Sequence, residues 1–281
     1  MPHLLRDITV FFDHSEAGHR VLESATRFSA NQSAHLIGVT AIDHWGDFPQ
    51  DAFSRGKAIV DVIRHQQELE ASRLTLINES LETMSSRFGV STEFRVIPAA
   101  EAIQETSLHA LYSDLLIIGH PNAPGTPASW SLEDVLMRAG VPLMIVPDAW
   151  RKDQIGRRIT VAWNASRQSR RALADSLPLL VSADVVQLLI VDSADKADLH
   201  GEEPGADMAT YLARHDVKVE LKRVPSDGQP VAMKIVEQAL DFGSDLLVFG
   251  AYSRPKIREM MLGGVTKTLL STVPMPLFVS Y

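Results

Sequence analysis

The sequence predicts an α/β protein built from two similar domains in tandem, each a mainly parallel sheet with helices on both faces. Three observations carry this. The chain repeats itself: ITVFFDHSEAGHRVL from Ile8 matches ITVAWNASRQSRRAL from Ile159, so that Asp13 corresponds to Asn164 at an offset of 164 − 13 = 151. DLLIIG ending at Gly119 matches DLLVFG ending at Gly250, at 250 − 119 = 131, and PLMIVP matches PLFVSY in the same order. The offset falls by 151 − 131 = 20, so the second copy lacks twenty residues in its middle. Strand-like runs alternate with helix-like ones, which is the pattern of a parallel sheet covered on both faces. The unbroken apolar runs LLII and LLVF suit central, doubly covered strands, because half-exposed strands alternate.

Taken in order, the first half reads as strand ITVFFD, a helix from Glu16 to Ala30, strand HLIGVTAI and a long helix ending at Phe88. Strand TEFRVI, a helix to Ser113, strand DLLIIG, a helix from Ser131 and strand PLMIVP complete it. The long helix is predicted by Leu74, Ile77, Leu81, Met84 and Phe88, whose 3-4-3-4 spacing makes one stripe, and by Gly89, a left-handed terminator. The second half reads as RRITVAW, a helix from Ser166, VVQLLIV, a short helix from Met208 to Arg214 and VKVELKRV. A helix from Pro230, strand DLLVFG, a helix from Arg258 and strand PLFVSY follow. PDAWRKDQIG, between Pro147 and Gly156, is polar and contains Pro and Gly. It sets the boundary between a first domain, residues 1–150, and a second, residues 155–281.

Composition narrows the function classes. The chain has 281 residues, 45% hydrophobic and 22% charged, which is globular composition. No apolar run approaches a membrane span, and the opening MPHLLRD carries no basic-then-apolar signal, so a cytoplasmic protein with no membrane partner is expected. Zero cysteines remove disulfides, thiolate metal sites and cysteine nucleophiles together. A net charge of −8 opposes a broad nucleic-acid surface, whose affinity comes from Lys and Arg neutralising phosphates.

Sheets of this kind bind ligands at the carboxyl ends of their strands, where strand order reverses. The first strands lead into DHSEAG and NASRQS, which contain neither a dinucleotide glycine triplet nor a P-loop. Ser15 and Ser166 sit where helix caps belong. His14 and His19 lack a zinc pattern, and the acidic stretch from Asp192 lacks calcium-loop spacing. Met260, Met261, Val265, Leu269 and Leu270 read as the buried stripe of the fourth helix of the second copy. No nucleophile stands beside a base in the sequence and no carboxylates recur at matching positions, so nothing here supports an enzyme.

The stretch GAYSRPKIREMMLGGVTKTLL is different. Gly250 ends a strand, Ser253 follows two intervening residues, and nine more lead to Gly263, Gly264, Val265 and Thr266. With the first-strand Asp and the closing strand after Pro, this resembles the universal stress protein family, in two tandem domains over nearly the whole chain. The resemblance implies a five-stranded parallel sheet per domain, order 3-2-1-4-5, and dimers formed through the fifth strands. In the nucleotide-binding members Gly-x2-Gly-x9-Gly-Ser/Thr cradles ATP phosphates and the first-strand Asp meets the adenosine.

Carried over residue by residue, the motif departs from the family in both halves. The second copy keeps Gly250, Gly263 and Gly264, with Ser253 at the second Gly, Gly264 where a hydroxyl is expected and Asn164 for the Asp. Thr266 is the candidate substitute hydroxyl, and Val191 the candidate backbone contact to adenine and ribose. The first copy keeps Asp13 but has Asn122 at the second Gly and no Gly pair near Leu132 and Glu133. Arg254, Lys256 and Arg258 precede the fourth helix of the second copy, where an anion would relieve their conflict with the helix dipole; Pro121 to Trp130 has no basic residue.

The expected function is an adenine-nucleotide-binding regulator or sensor in a stress response, with one ATP site in the second domain, accompanied by Mg²⁺. The alternative is a nucleotide-free module for protein partners, both sites having decayed. The two copies are expected to pack PLMIVP beside PLFVSY as a pseudo-dimer within one chain, satisfying both sheet edges, and a further homodimer is an open expectation.

Overall fold

A computed structural model describes residues 5–42, 57–120, 130–192, 203–252 and 264–281. The first copy runs β1 (Asp7–Phe11), α1 (Glu16–Gln32), β2 (His35–Ile42), α2 (Lys57–Phe88), β3 (Thr92–Pro98), α3 (Ala102–Ala110), β4 (Leu115–Gly119), α4 (Leu132–Arg138) and β5 (Leu143–Val146). The second runs β6 (Arg158–Ala162), α5 (Arg167–Ser182), β7 (Val185–Val191), α6 (Ala206–Arg214), β8 (Val219–Val224), α7 (Val231–Asp241), β9 (Leu246–Gly250), α8 (Gly264–Thr272) and β10 (Leu277–Ser280). Among the described residues no helix is long and apolar enough to cross a membrane.

Local chemistry sets the ends of these elements. Ser15 caps α1 by accepting from the Gly18 N–H, and Ser166 caps α5 in a reciprocal box with Ser169. Gly89, at φ +67°, turns the chain out of α2. The missing residues of the second copy come out of the second helix, which has 32 residues as α2 and 9 as α6.

The ten strands form one sheet in the order β3-β2-β1-β4-β5-β10-β9-β6-β7-β8, so each copy has the order 3-2-1-4-5. Pairing is parallel within each copy and antiparallel where they meet, with Leu277 opposite Ile145, Phe278 opposite Met144 and Val279 opposite Leu143. Neither fifth strand is left as an open edge. The core follows this continuity. One face gathers Val10, Leu22, Met144, Leu173, Leu188 and Phe278, the other Phe11, Leu136, Ile145, Leu247, Leu269 and Val279, each drawing on both copies. The segment between the copies is held to α1 by two arginines two turns apart, Arg20 on Asp148 and Arg27 on Asp153.

A repeated aspartate fastens the first strand of each copy. Asp114 accepts from the Arg6 and Asp7 N–H groups at 2.6 and 3.1 Å. Asp245 accepts from Gly156, Arg157 and Arg158 at 2.9 to 3.2 Å. This gives the leading Asp of DLLIIG and DLLVFG a structural purpose.

Candidate functional site

The reversal of strand order in the second copy falls between β6 and β9, whose carboxyl ends form the mouth of a crevice. Asn164 lies two residues beyond β6. Its Oδ1 accepts from the Ser166 N–H at 3.2 Å and the Ser166 hydroxyl at 2.6 Å. Asp13 does the same for Ser15 at 3.1 and 2.6 Å. One turn geometry thus serves both an acid and an amide, with the side chain of Asn164 fixed through its carbonyl oxygen.

Gly250 ends β9 against the first turn of α5. A Cβ at this position would lie 2.2 Å from the Gln168 carbonyl carbon and 2.4 Å from the Ser169 nitrogen, so close packing alone requires glycine here. The chain continues through Ala251, fully buried, to Tyr252, which takes a left-handed φ of +58°. A bulky residue in that region is strained. The Tyr252 N–H is held by Thr266 Oγ1 at 3.3 Å. Thr266, expected to offer a hydroxyl to phosphate, is buried and used by this tether. The Tyr252 ring packs edge-on against Tyr281 at 5.6 Å, and burial pushes its phenol up to about 12, with the Glu133 and Asp134 carboxylates of α4 contributing. Gly264 opens α8 with nothing within 4 Å of a Cβ among the described residues, and Val191, half-exposed, closes β7. Ser253, Arg254 and Gly263, like Lys256, Arg258, Met260 and Met261, lie outside the described residues. Of the expected stripe, Leu269 and Leu270 are buried and Val265 is partly so.

The structure thus joins the candidates into two linked sets: Asn164, Ser166, Ser169 and Gly250 on one side, Tyr252, Thr266 and Gly264 on the other. Among the described residues no group of three or more His, Asp or Glu is placed to hold a metal ion.

The matching position in the first copy carries two aromatic rings in contact. Phe11 corresponds to Ala162, each two residues before Asp13 or Asn164. Trp130 corresponds to Gly264, each thirteen residues before the first residue of its closing strand (143 − 130 = 277 − 264 = 13). The rings of Phe11 and Trp130 lie 4.3 Å apart, tilted by 44°. Accordingly Phe11, Asp13 and Ala41 are buried, whereas Ala162, Asn164 and Val191 are half-exposed. The sequence reading missed this contrast. Counting back from the closing strands, rather than forward from the glycines, would have set Trp130 over Gly264.

Comparison with known proteins agrees with this architecture. Residues 156–280 match the model of the universal stress protein family. A universal stress protein from Archaeoglobus fulgidus DSM 4304 superposes with a TM-score of 0.63 at 17% identity, covering 98% of this chain and 97% of that one. A functionally unknown protein from Pseudomonas aeruginosa PAO1 superposes at 0.59 with 15% identity, covering 98% and 92%. At such identities the likeness speaks to fold. No curated protein matches the sequence. The second half, residues 156–280, is a universal stress protein domain, and the first half repeats its strand order.

Proposed function

We propose that this protein binds one adenine nucleotide, ATP with its Mg²⁺, in the crevice of the second domain, and acts in the cytoplasm as a regulator or sensor rather than as an enzyme. The observation that carries the reading is the asymmetry of the two crevices. Two aromatic rings meet in the first, and among the described residues the small Ala162 and Gly264 stand at the equivalent positions of the second. Small residues at that mouth are what an inserted base and sugar require, and backbone N–H groups at the start of α8 suit an anion. The first domain then serves as a structural partner, completing the sheet through β5.

A second reading has its own support. Gly250 is required by packing and Thr266 by its bond to Tyr252, so two residues of the glycine motif have reasons to exist without a ligand. On that reading the protein is a nucleotide-free module for protein partners.

Native mass spectrometry of the full chain, before and after addition of Mg-ATP, separates them. One nucleotide per chain supports the single site, two would mean that the first domain also binds, and none would favour the interaction module.

A further inference from the structure

With β5 and β10 joined, the sheet has two free edges among the described residues, β3 and β8. Hydrogen-bond alternation fixes what each edge presents. The Val186 N–H donates to the Lys218 carbonyl and the Asp192 N–H to that of Val224, so the even-numbered residues of β8 turn their backbone groups to β7. Val219, Leu221 and Arg223 therefore turn theirs outward. The side chains of Val219 and Leu221 pack on the same core as Leu212 of α6, and Arg223 reaches back to Glu203 at 2.9 Å and to the Pro204 carbonyl at 2.7 Å. Glu220 and Lys222 lie on the opposite face, both exposed. Among the described residues the side chain of neither makes a hydrogen bond or an ion pair.

We propose that this protein forms a two-fold homodimer in which β8 pairs antiparallel with β8 of a second copy, with Leu221 on the axis. The outward backbone groups of β8 then find partners: Leu221 meets Leu221 of the second copy and Val219 meets its Arg223, all in hydrogen-bonded positions. Glu220 falls opposite Lys222 of the second copy in the position without backbone bonds, where Cα atoms are about 4.5 Å apart and side chains lie closest. The two-fold axis repeats this contact, so each interface carries two opposite-charge cross-strand pairs. A lysine on an edge strand ordinarily discourages strand addition. Here a glutamate two residues before it makes the edge complementary to itself. The β3 edge lacks this readiness. Leu36 N–H donates to the Ser91 carbonyl, which leaves Thr92, Phe94, Val96 and Pro98 facing outward, and Pro98 has no N–H to give. Its charges are also spent: Glu93 holds Arg95 through both carboxylate oxygens at 2.8 and 3.0 Å, and Arg95 meets His109 Nδ1 at 3.0 Å. The dimer goes beyond the nucleotide reading and does not depend on it.

The test is sedimentation velocity of the full chain across a concentration series, with circular dichroism to confirm folding. The wild type should reach twice the chain mass. Glu220→Lys and Lys222→Glu each set like charges opposite one another twice, and each should weaken the dimer roughly tenfold or more. An equimolar mixture of the two variants should recover the dimer, because one chain then brings two lysines and the other two glutamates into the same register. Loss of fold alone would not be rescued by mixing. A wild-type chain that stays monomeric up to its solubility limit would overturn the proposal. A dimer that both reversals leave intact would place the interface elsewhere, and weakening in both variants without recovery on mixing would overturn the pairing of Glu220 with Lys222.

Discussion

The indole of Trp130 lies on the ring of Phe11, 4.3 Å between centroids, across the carboxyl end of the first strand. Its Nε1 is buried and has no hydrogen-bond partner among the described residues. An unpaired buried N–H carries a cost, which the ring's burial against Phe11 offsets. The contact distinguishes the two copies of one fold: among the described residues Ala162 and Gly264 stand at the equivalent positions of the second.

Transplanting that contact should close the second crevice. Gly264→Trp with Ala162→Phe is expected to weaken nucleotide binding by at least tenfold, about 1.4 kcal/mol. The melting temperature should hold, because a Cβ at Gly264 meets nothing within 4 Å among the described residues. Titration with ATP alongside thermal melting checks both, and wild-type affinity in the folded variant would place the ligand elsewhere.

Gly250→Ala is expected to destabilise the protein whether or not a ligand binds. The added methyl would come within about 2.5 Å of Gln168 and Ser169 backbone atoms, which cannot rotate away. Such overpacking costs ~1–3 kcal/mol. Gly119→Ala is the control, because its methyl meets only Val21 Cγ2, at 2.9 Å, and that side chain has other rotamers. Urea denaturation should show the larger loss at Gly250. If both variants match the wild type, the packing role assigned to this glycine is wrong, and lost binding in Gly250→Ala could then be read as a lost phosphate contact.

The order and type of the elements were legible because they depend on local periodicity. The 3-4-3-4 stripe of α2, the caps at Ser15 and Ser166 and the apolar runs of β4 and β9 each reside within a few residues of sequence. The joining of β5 to β10 followed from the need to cover two apolar edges. Much of the site was less legible, because its geometry is non-local. Gly250 is fixed by Gln168, eighty-two residues earlier (250 − 168 = 82), and Thr266 is drawn inward by the backbone of Tyr252. Asp245 was visible as a repeated letter, but its partners lie 87 to 89 residues away.

Asp245 gives a stability and a pH prediction. Asp245→Ala leaves the Gly156, Arg157 and Arg158 N–H groups without their acceptor and should cost ~2–4 kcal/mol. Burial raises the carboxyl's pKa, outweighing the opposing effect of those three N–H bonds. Between the ordinary value, about 3.9, and the raised one, the folded state binds more proton than the unfolded chain. This group's contribution to stability therefore falls as pH rises through that window. Removing the titration in Asp245→Asn should make the slope of stability against pH more positive from about pH 4 upward. Urea midpoints measured across that range test the sign; an unchanged slope would mean that the carboxyl titrates alike in both states.

Tyr252 makes the corresponding case at alkaline pH. Its phenol is pushed up to about 12, first by burial and then by Glu133, Tyr281 and Asp134. An unfolded tyrosine titrates near 10, so between about 10 and 12 the native state holds the extra proton. Stability from this group is complete below the unfolded value and is lost as pH rises through the folded one. The chain has four tyrosines, which makes the assignment tractable. Phenolate absorbance of the native protein should show one late-titrating group that disappears in Tyr252→Phe. That variant should also lose less stability than the wild type across the same alkaline range. Because the two carboxylates belong to the first domain and the phenol to the second, Glu133→Gln should lower the late titration without touching the second domain. A titration unmoved by Glu133→Gln would remove Glu133 from the causes of the shift.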